Sequence, residues 1–157
     1  MFKLKECKEL NDFKDALKLT EKYFEWLKID LDNMEVSQGV EDFSKTYSDP
    51  DGCFVLALNQ DNQVVGGVGI KEADDKTCEL KRLFVIPEYF GNQLGFKLCS
   101  HIIKIASELG YSRIKLDTLK KLTDANKLFT RLGFTEAEPY KNNPDNELVF
   151  LELNLEK

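Results

Sequence analysis

The order of elements along this chain predicts an α/β fold of the α+β kind, with a mixed sheet covered by helices. Three observations carry that expectation. Apolar residues near the start recur at helical spacing. Two apolar segments in the middle are joined by a short polar tip, as in a hairpin. The second half then alternates strand-like and helix-like segments.

Residues 2 to 8 alternate as a short strand does, and Asn11 stands where a helix N-cap belongs. Phe13, Ala16, Leu17, Thr20, Phe24 and Leu27 then follow a helical period with Lys and Glu between them, which predicts an amphipathic helix. A weaker helical pattern covers residues 36 to 47 through Val36, Val40, Phe43 and Tyr47, and Ser48-Asp49-Pro50-Asp51-Gly52 breaks it as a turn. Cys53 to Leu58 and Val64 to Ile70 form the hairpin, closed by Asn59-Gln60-Asp61-Asn62-Gln63. Gly66, Gly67 and Gly69 interrupt its second strand, which marks either a bulge or a close approach by another backbone or a ligand.

A third strand runs from Thr77 to Ile86. Beyond it Leu94, Leu98, Ile102, Ile105 and Leu109 share one helical face, and Gly110 is placed to end that helix. Arg113 to Leu119 reads as a strand, about Thr123 to Leu132 as a helix ending at Gly133, and Leu148 to Leu155 as a closing strand.

With 157 residues, 42% of them hydrophobic, the chain can bury one sizeable core and is short for two, so one domain spanning residues 1–157 is expected. Cys7, Cys53, Cys78 and Cys99 are scattered, with no CxxC pair and a single histidine, His101. That spacing argues against a zinc site and a disulfide framework, so no metal is expected. His101 reads as a partly exposed helical residue, and Cys78 and Cys99 as small buried apolar groups. The start of the chain lacks the apolar core of a secretory signal, and no apolar run approaches the roughly 20 residues that span a bilayer. A reducing, cytoplasmic setting without membrane contact is the expectation. The formal net charge of −6 disfavours nucleic acid as a partner.

The stretch with most chemical content is Val85-Ile86-Pro87-Glu88-Tyr89-Phe90-Gly91-Asn92-Gln93-Leu94-Gly95-Phe96-Lys97-Leu98. A strand that passes through a glycine-bearing turn into a helix leaves the first helical amides unpaired and aimed at one place, where the helix dipole favours an anion. The spacing fits neither GxxxxGK[ST] nor a complete GxGxxG, and on its own it also suits a tight strand-to-helix turn.

This stretch resembles the V-x-P-x-x-R-G-x-G-x-G-x-x-L motif of the GNAT superfamily of acyl-CoA-dependent N-acetyltransferases. The resemblance continues through Leu116-Asp117-Thr118-Leu119 and Ala125-Asn126-Lys127-Leu128-Phe129-Thr130-Arg131-Leu132-Gly133-Phe134, which is similar to the family's A-x-x-L-Y-x-x-x-G-F, and covers about two-thirds of the chain. It implies a mostly antiparallel central sheet flanked by helices and acetyl-CoA as cosubstrate. It also implies acetyl transfer to a primary amine of a small molecule or peptide by direct attack in a ternary complex. By the same resemblance Phe84 and Val85 pair with the pantetheine arm as an extra strand would. The amides of Phe90, Gly91, Asn92, Gln93, Leu94, Gly95 and Phe96 meet the pyrophosphate. Two positions depart from the motif: its arginine is Phe90 and its middle glycine is Gln93.

Transfer to an amine requires a proton acceptor for the ammonium and a proton donor for the leaving thiolate. Glu79 matches the strand position where histone-modifying members carry a general-base glutamate, and its alternative is a solvated strand residue paired with Lys81 or Arg82. The family's acid is a tyrosine at the position of Phe129, and a phenyl ring has no proton to give. Tyr140, in the loop before the last strand, is the candidate to bind substrate or replace that acid, its alternative being a surface tyrosine. Aromatic and acidic side chains between residues 24 and 47 are expected to shape the acceptor cleft. Phe90 and Phe129 together also suit a protein that kept the fold and the coenzyme for regulation but lost turnover.

Overall fold

In the computed structural model, which describes residues 2–28, 39–143 and 146–156, seven strands form one sheet. They are β1 (Lys3–Glu6), β2 (Cys53–Leu58), β3 (Val64–Glu72), β4 (Thr77–Val85), β5 (Arg113–Leu119), β6 (Thr135–Glu136) and β7 (Leu148–Asn154). Their spatial order is β1-β2-β3-β4-β5-β7-β6. Every neighbouring pair is antiparallel except β4 with β5. That parallel pair is joined through helix α3 (Leu94–Glu108), as a parallel connection requires. The fold is therefore the mixed, mostly antiparallel sheet flanked by helices that the sequence implies.

The remaining helices are α1 (Leu10–Leu27), α2 (Val40–Thr46) and α4 (Thr123–Arg131). One face of the sheet holds the larger core, where Val55, Val68, Ile70, Leu80 and Ile114 meet Leu98, Ile102 and Ala106 of α3 and Phe129 of α4. The opposite face packs Phe54, Leu56 and Phe84 against Phe13, Ala16 and Leu19 of α1 and Phe43 of α2. All four cysteines are buried and free. Burial pushes each thiol up to about 12, so they pack as apolar groups. His101 lies on α3 with its imidazole 3.7 Å from Glu6.

The N-terminal boundary of α1 differs from the sequence expectation. Glu9, not Asn11, is the capping residue, and Asn11 lies in the first turn. The cause is Asp12, whose carboxylate accepts the amides of Lys8 at 3.0 Å and Glu9 at 3.1 Å and pairs with the Lys5 ammonium at 2.8 Å. The weaker helical pattern survives only as α2, and its first residues, 36 to 38, lie outside the described residues. The two-residue strand β6, too short to carry a period, was not expected.

The glycines of β3 have a packing reason. A Cβ on Gly67 would stand 2.8 Å from Leu19 and 2.9 Å from Phe54, and one on Gly69 would stand 2.6 Å from Phe54 and 2.8 Å from Tyr47. At Gly67 and Gly69 the close approach comes mainly from side chains of the second core, and at Gly66 from the Phe84 backbone carbonyl, 3.1 Å from where a Cβ would stand. There are two irregularities: β3 itself carries an extra residue, Val65, beside Gly66, since Gly66 pairs with Ala57 and Val64 with Leu58 of β2, and a second lies on the partner strand β4. Gly69 pairs with Lys81 and Gly67 with Phe84, so Arg82 and Leu83 together oppose Val68. Arg82 has φ 62°, and this β-bulge inverts the facing of β4. Leu80 packs in the α3 core, whereas Phe84, four residues on, packs against α1.

Asp12→Ala should lower stability by about 1–2 kcal/mol, the usual worth of an N-terminal cap, read as a lower urea midpoint. Burial pushes the Asp12 carboxyl up, but the Lys5 hydrogen bond and the two amides outweigh it and hold it below its ordinary value. A depressed carboxyl stabilises above the unfolded value of about 4 and loses that stabilisation as pH falls through the folded value. The difference between wild type and variant should therefore shrink in acid.

Candidate active site

β4 and β5 pair only at Thr77 with Arg113, Cys78 with Ile114 and Glu79 with Lys115. Beyond Glu79 the strands part, although β4 continues to Val85 beside β3 and β5 continues to Leu119 beside β7. The edge of β4 from Leu80 to Val85 that faces β5 is thus left without a strand partner. Buried backbone donors and acceptors need partners, so an open edge inside a cleft is a place for an extended ligand. A cleft of about 790 Å³ occupies this opening. β4 lines it from Leu80 to Val85, and β5 from Leu116 to Leu119; Phe90 to Gly95 close one end.

At that end a short 3₁₀ turn, Pro87–Tyr89, leads into the loop. Gly91 has φ 88° and Gln93 φ 62°, so the chain turns twice through the left-handed region before α3 begins at Leu94. Gly91 serves this turn. Gly95 serves packing, since a Cβ there would stand 3.0 Å from Leu128 of α4. Lys97 donates the first intrahelical bond, to Gln93 at 3.0 Å. The amides of Leu94, Gly95 and Phe96 therefore have no intrahelical acceptor and point out of the helix N-terminus. The Asn92 side chain donates to the Tyr89 carbonyl at 2.9 Å and stiffens the loop.

Sequence reasoning missed the cation beside this loop. Arg131, in the last turn of α4, places its guanidinium 4.2 Å from the centre of the Phe96 ring and donates to Gln93 Oε1 at 3.0 Å. The side chain that replaces the motif's middle glycine thus holds an arginine at the mouth of the loop, where Phe90 supplies none. A fixed guanidinium next to the positive end of α3 suits an anion between them. Only the residue count from Gly133 could have pointed to Arg131.

Phe84, Val85, Phe90, Gly91, Gln93, Leu94, Gly95 and Phe96 all line the cleft, and Asn92 shapes its loop. Glu79 and Tyr140 are placed differently. Among the described residues neither lines the cleft, and each meets it through a neighbour. The Glu79 carboxylate is 3.3 Å from Lys81 Nζ, and the Tyr140 hydroxyl donates to Asp117 Oδ1 at 3.2 Å. Lys81 and Asp117, which do line the cleft, face each other at 3.9 Å just past the point where the strands part. Lys141 closes the chain of alternating charge at 2.9 Å from Asp117.

This cluster is largely shielded from water, with side-chain exposures of 13% for Lys81, 17% for Glu79 and 18% for Asp117. Burial pushes Asp117 up, but Lys141 and Lys81 outweigh it and hold the carboxyl below its ordinary value. Burial lowers Lys81 further than Glu79 and Asp117 raise it. Tyr140 is pushed well above the usual phenol range by burial and then by Asp117. Phe129 is buried against Phe134 at a ring distance of 5.6 Å and has no proton to give.

The far wall is aromatic. Tyr23, Phe24, Trp26 and Leu27 of α1 line the cleft, and Phe24 and Leu27 pack with Leu119 and Leu122. Trp26 lies 5.7 Å from the Phe84 ring and 6.3 Å from the Phe90 ring. Of the expected acceptor-side stretch, residues 29 to 38 lie outside the described residues. Among the described residues no group of His, Cys, Asp or Glu is arranged to hold a metal ion, and no helix is long and apolar enough to cross a membrane.

The parallel pair parts beside a helix start with unpaired amides, and comparison with known proteins places this arrangement in a family. Residues 15–134 match the model of the Acetyltransferase (GNAT) family, and the chain belongs to that family. An uncharacterized N-acetyltransferase of Schizosaccharomyces pombe is 33% identical over 150 residues, covering 95% of this chain and 90% of its own. An uncharacterized N-acetyltransferase of Dictyostelium discoideum is 44% identical over 81 residues, 51% of this chain and 38% of its own. Among solved structures, a GNAT-family acetyltransferase from Staphylococcus aureus superposes with TM-score 0.82 at 22% identity, covering 99% of this chain and 100% of that one. The PaiA N-acetyltransferase of Thermoplasma acidophilum, solved in complex with coenzyme A, superposes with TM-score 0.78 at 16% identity, covering 98% and 99%. At these identities the structural likenesses establish the fold.

Asp117→Asn should destabilise the chain by about 1–3 kcal/mol at neutral pH, because Lys141, Lys81 and the Tyr140 hydroxyl lose a shared acceptor charge. The wild-type carboxyl is depressed, so its contribution is present above about pH 4 and fades as pH falls through the folded value. Urea midpoints at pH 7 and in acid should show the two proteins converging.

Proposed function

We propose that this protein transfers an acetyl group from acetyl-CoA to a primary amine of a small molecule or peptide, by direct attack while both are bound. The observation that carries this reading is the open β4 edge running from Lys81 to a loop whose amides and Arg131 converge on one point. The residues fit the coenzyme. Phe84 and Val85 offer main-chain groups to an amide-bearing arm, the amides from Phe90 to Phe96 suit the pyrophosphate, and Arg131 supplies the cation missing at Phe90. When bound, the coenzyme supplies an acetyl thioester.

The chain's own residues then orient the acceptor and move protons. Glu79 is the base of this reading, with its proton arriving through a neighbour because the carboxylate does not line the cleft. Tyr140, donating to Asp117 with a raised pKa, is a poor acid in this arrangement. We read it as a positioning residue that docks the loop before β7. A second reading has its own observation: Phe129 is buried and the Tyr140 hydroxyl is engaged, so a protein that binds acyl-CoA without turnover would look the same at these positions.

Coenzyme binding tests both readings together, and turnover separates them. Trp26 is the chain's one tryptophan and stands beside Phe84 and Phe90, so its emission should change on adding acetyl-CoA. No change and no thermal shift at millimolar coenzyme would overturn both readings. Arg131→Ala should weaken coenzyme A binding about tenfold, the worth of one charge-assisted hydrogen bond. Thiol release across an amine panel then decides turnover, and Glu79→Gln should lower kcat by about 100-fold. Binding without release from any amine would favour the regulatory reading.

A further inference from the structure

Resting on the acetyl-transfer reading, we propose that Lys81, not Glu79, is the group that takes the proton from the acceptor amine. Glu79 and Asp117 hold Lys81 in place, and Glu79 receives the proton it passes on. Within the buried charge cluster Lys81 and Asp117 line the cleft, and Glu79 does not. Asp117 is already committed, accepting from Tyr140 at 3.2 Å and Lys141 at 2.9 Å. Lys81 lines the cleft and its Nζ is 3.3 Å from the carboxylate of Glu79, which does not line it, so Lys81 is the basic group that links the cleft to Glu79.

The fold places Lys81 there for identifiable reasons. It is the last β4 residue before the bulge and pairs with Gly69, which offers no side chain beneath it. It lies two residues past the final β4–β5 pair at Glu79, on the stretch of β4 that no longer pairs with β5. Several charged or titratable groups surround it. Glu79 and Arg82 share its strand, and Asp117 on β5 faces it directly. Lys71 and Lys115 flank Glu79 on β3 and β5. Lys141 and Tyr140 come from the loop before β7, and Tyr23 from α1. Burial lowers Lys81 more than the carboxylates raise it, so its neutral form is more accessible than that of an exposed lysine.

The proton balance is as follows. Lys81 ammonium gives one proton to the Glu79 carboxylate and becomes a neutral amine. It then takes a proton from the acceptor ammonium, freeing the nitrogen lone pair. That pair forms the C–N bond at the thioester carbon as the C–S bond breaks and its electron pair leaves on sulfur. The second nitrogen proton ends on that sulfur, giving a thiol. The proton on Glu79 returns to solvent. The net change is ammonium plus thioester giving amide, thiol and one released proton.

The decisive variant is Lys81→Arg, which keeps the cation and its ion pairs but cannot give up a proton near neutral pH. The expected result is a fall in kcat of about 100-fold with coenzyme A affinity, read by Trp26 emission, unchanged. Lys81→His should retain part of the activity and move the acidic limb of kcat to lower pH, since histidine titrates near about 6.5. Wild-type-like turnover by Lys81→Arg would overturn this inference and leave the acetyl-transfer reading standing. Thiol release from no amine by the wild type would remove both. If the arginine variant does not fold, ¹⁵N-lysine NMR of the wild type decides. A Lys81 titration clearly below the other lysines supports the role, and one at or above them excludes it.

Discussion

The parallel pairing of β4 with β5 stops after Glu79 and Lys115, and the rest of the molecule is arranged around that parting. A parallel pair in the middle of a sheet is ordinarily continued, because each further residue gains hydrogen bonds that would otherwise be lost. Here the bulge at Arg82 turns β4 while β3 keeps hold of it on the other side. The same bulge reverses which core each side chain joins: Leu80 faces α3 and Phe84 faces α1. The extra residue thus lies in the stretch of β4 that has already left β5, and it sets the Phe84 ring on the wall that carries Trp26.

Charge follows the same geometry. The chain carries a formal net charge of −6, yet Lys81, Arg82, Lys121 and Arg131 all line the cleft. Charges withdrawn from water are costly unless paired, and near the opening they alternate as Glu79, Lys81, Asp117 and Lys141. At the other end, Arg131 is steadied by the Phe96 ring and the Gln93 side chain, next to the helix start that gathers amides. One end of the cleft gathers amides and a guanidinium and the other holds alternating charges, with open backbone between them.

Much of this was legible in the sequence, and the boundary of legibility is physical. The helical periods of α1 and α3, the hairpin and the loop from Phe90 to Phe96 are local features, written in consecutive residues. The charge cluster unites residues 79, 81, 117, 140 and 141, and the cation site unites 93, 96 and 131; no local pattern announces such meetings. Glu79 was singled out while Lys81, two residues away and equally polar, was not, because only the place where the strands part shows which of the two reaches the cleft. Phe90 and Gln93 were legible as departures from the motif, but the arginine that Gln93 holds was not. The cap at Glu9 in place of Asn11 was hidden for a similar reason: Lys5, from β1, helps fix the Asp12 carboxylate.

In the proposed function, main-chain groups of the open β4 edge and of the loop before α3 hold the coenzyme. Amide hydrogen exchange with and without acetyl-CoA tests it most directly. Exchange should slow in Arg82 to Val85 and in Gly91 to Phe96, with little change in β1, β2 and β7. Coenzyme binding that leaves those two stretches exchanging at their free rates, or that protects a different part of the sheet, would contradict it.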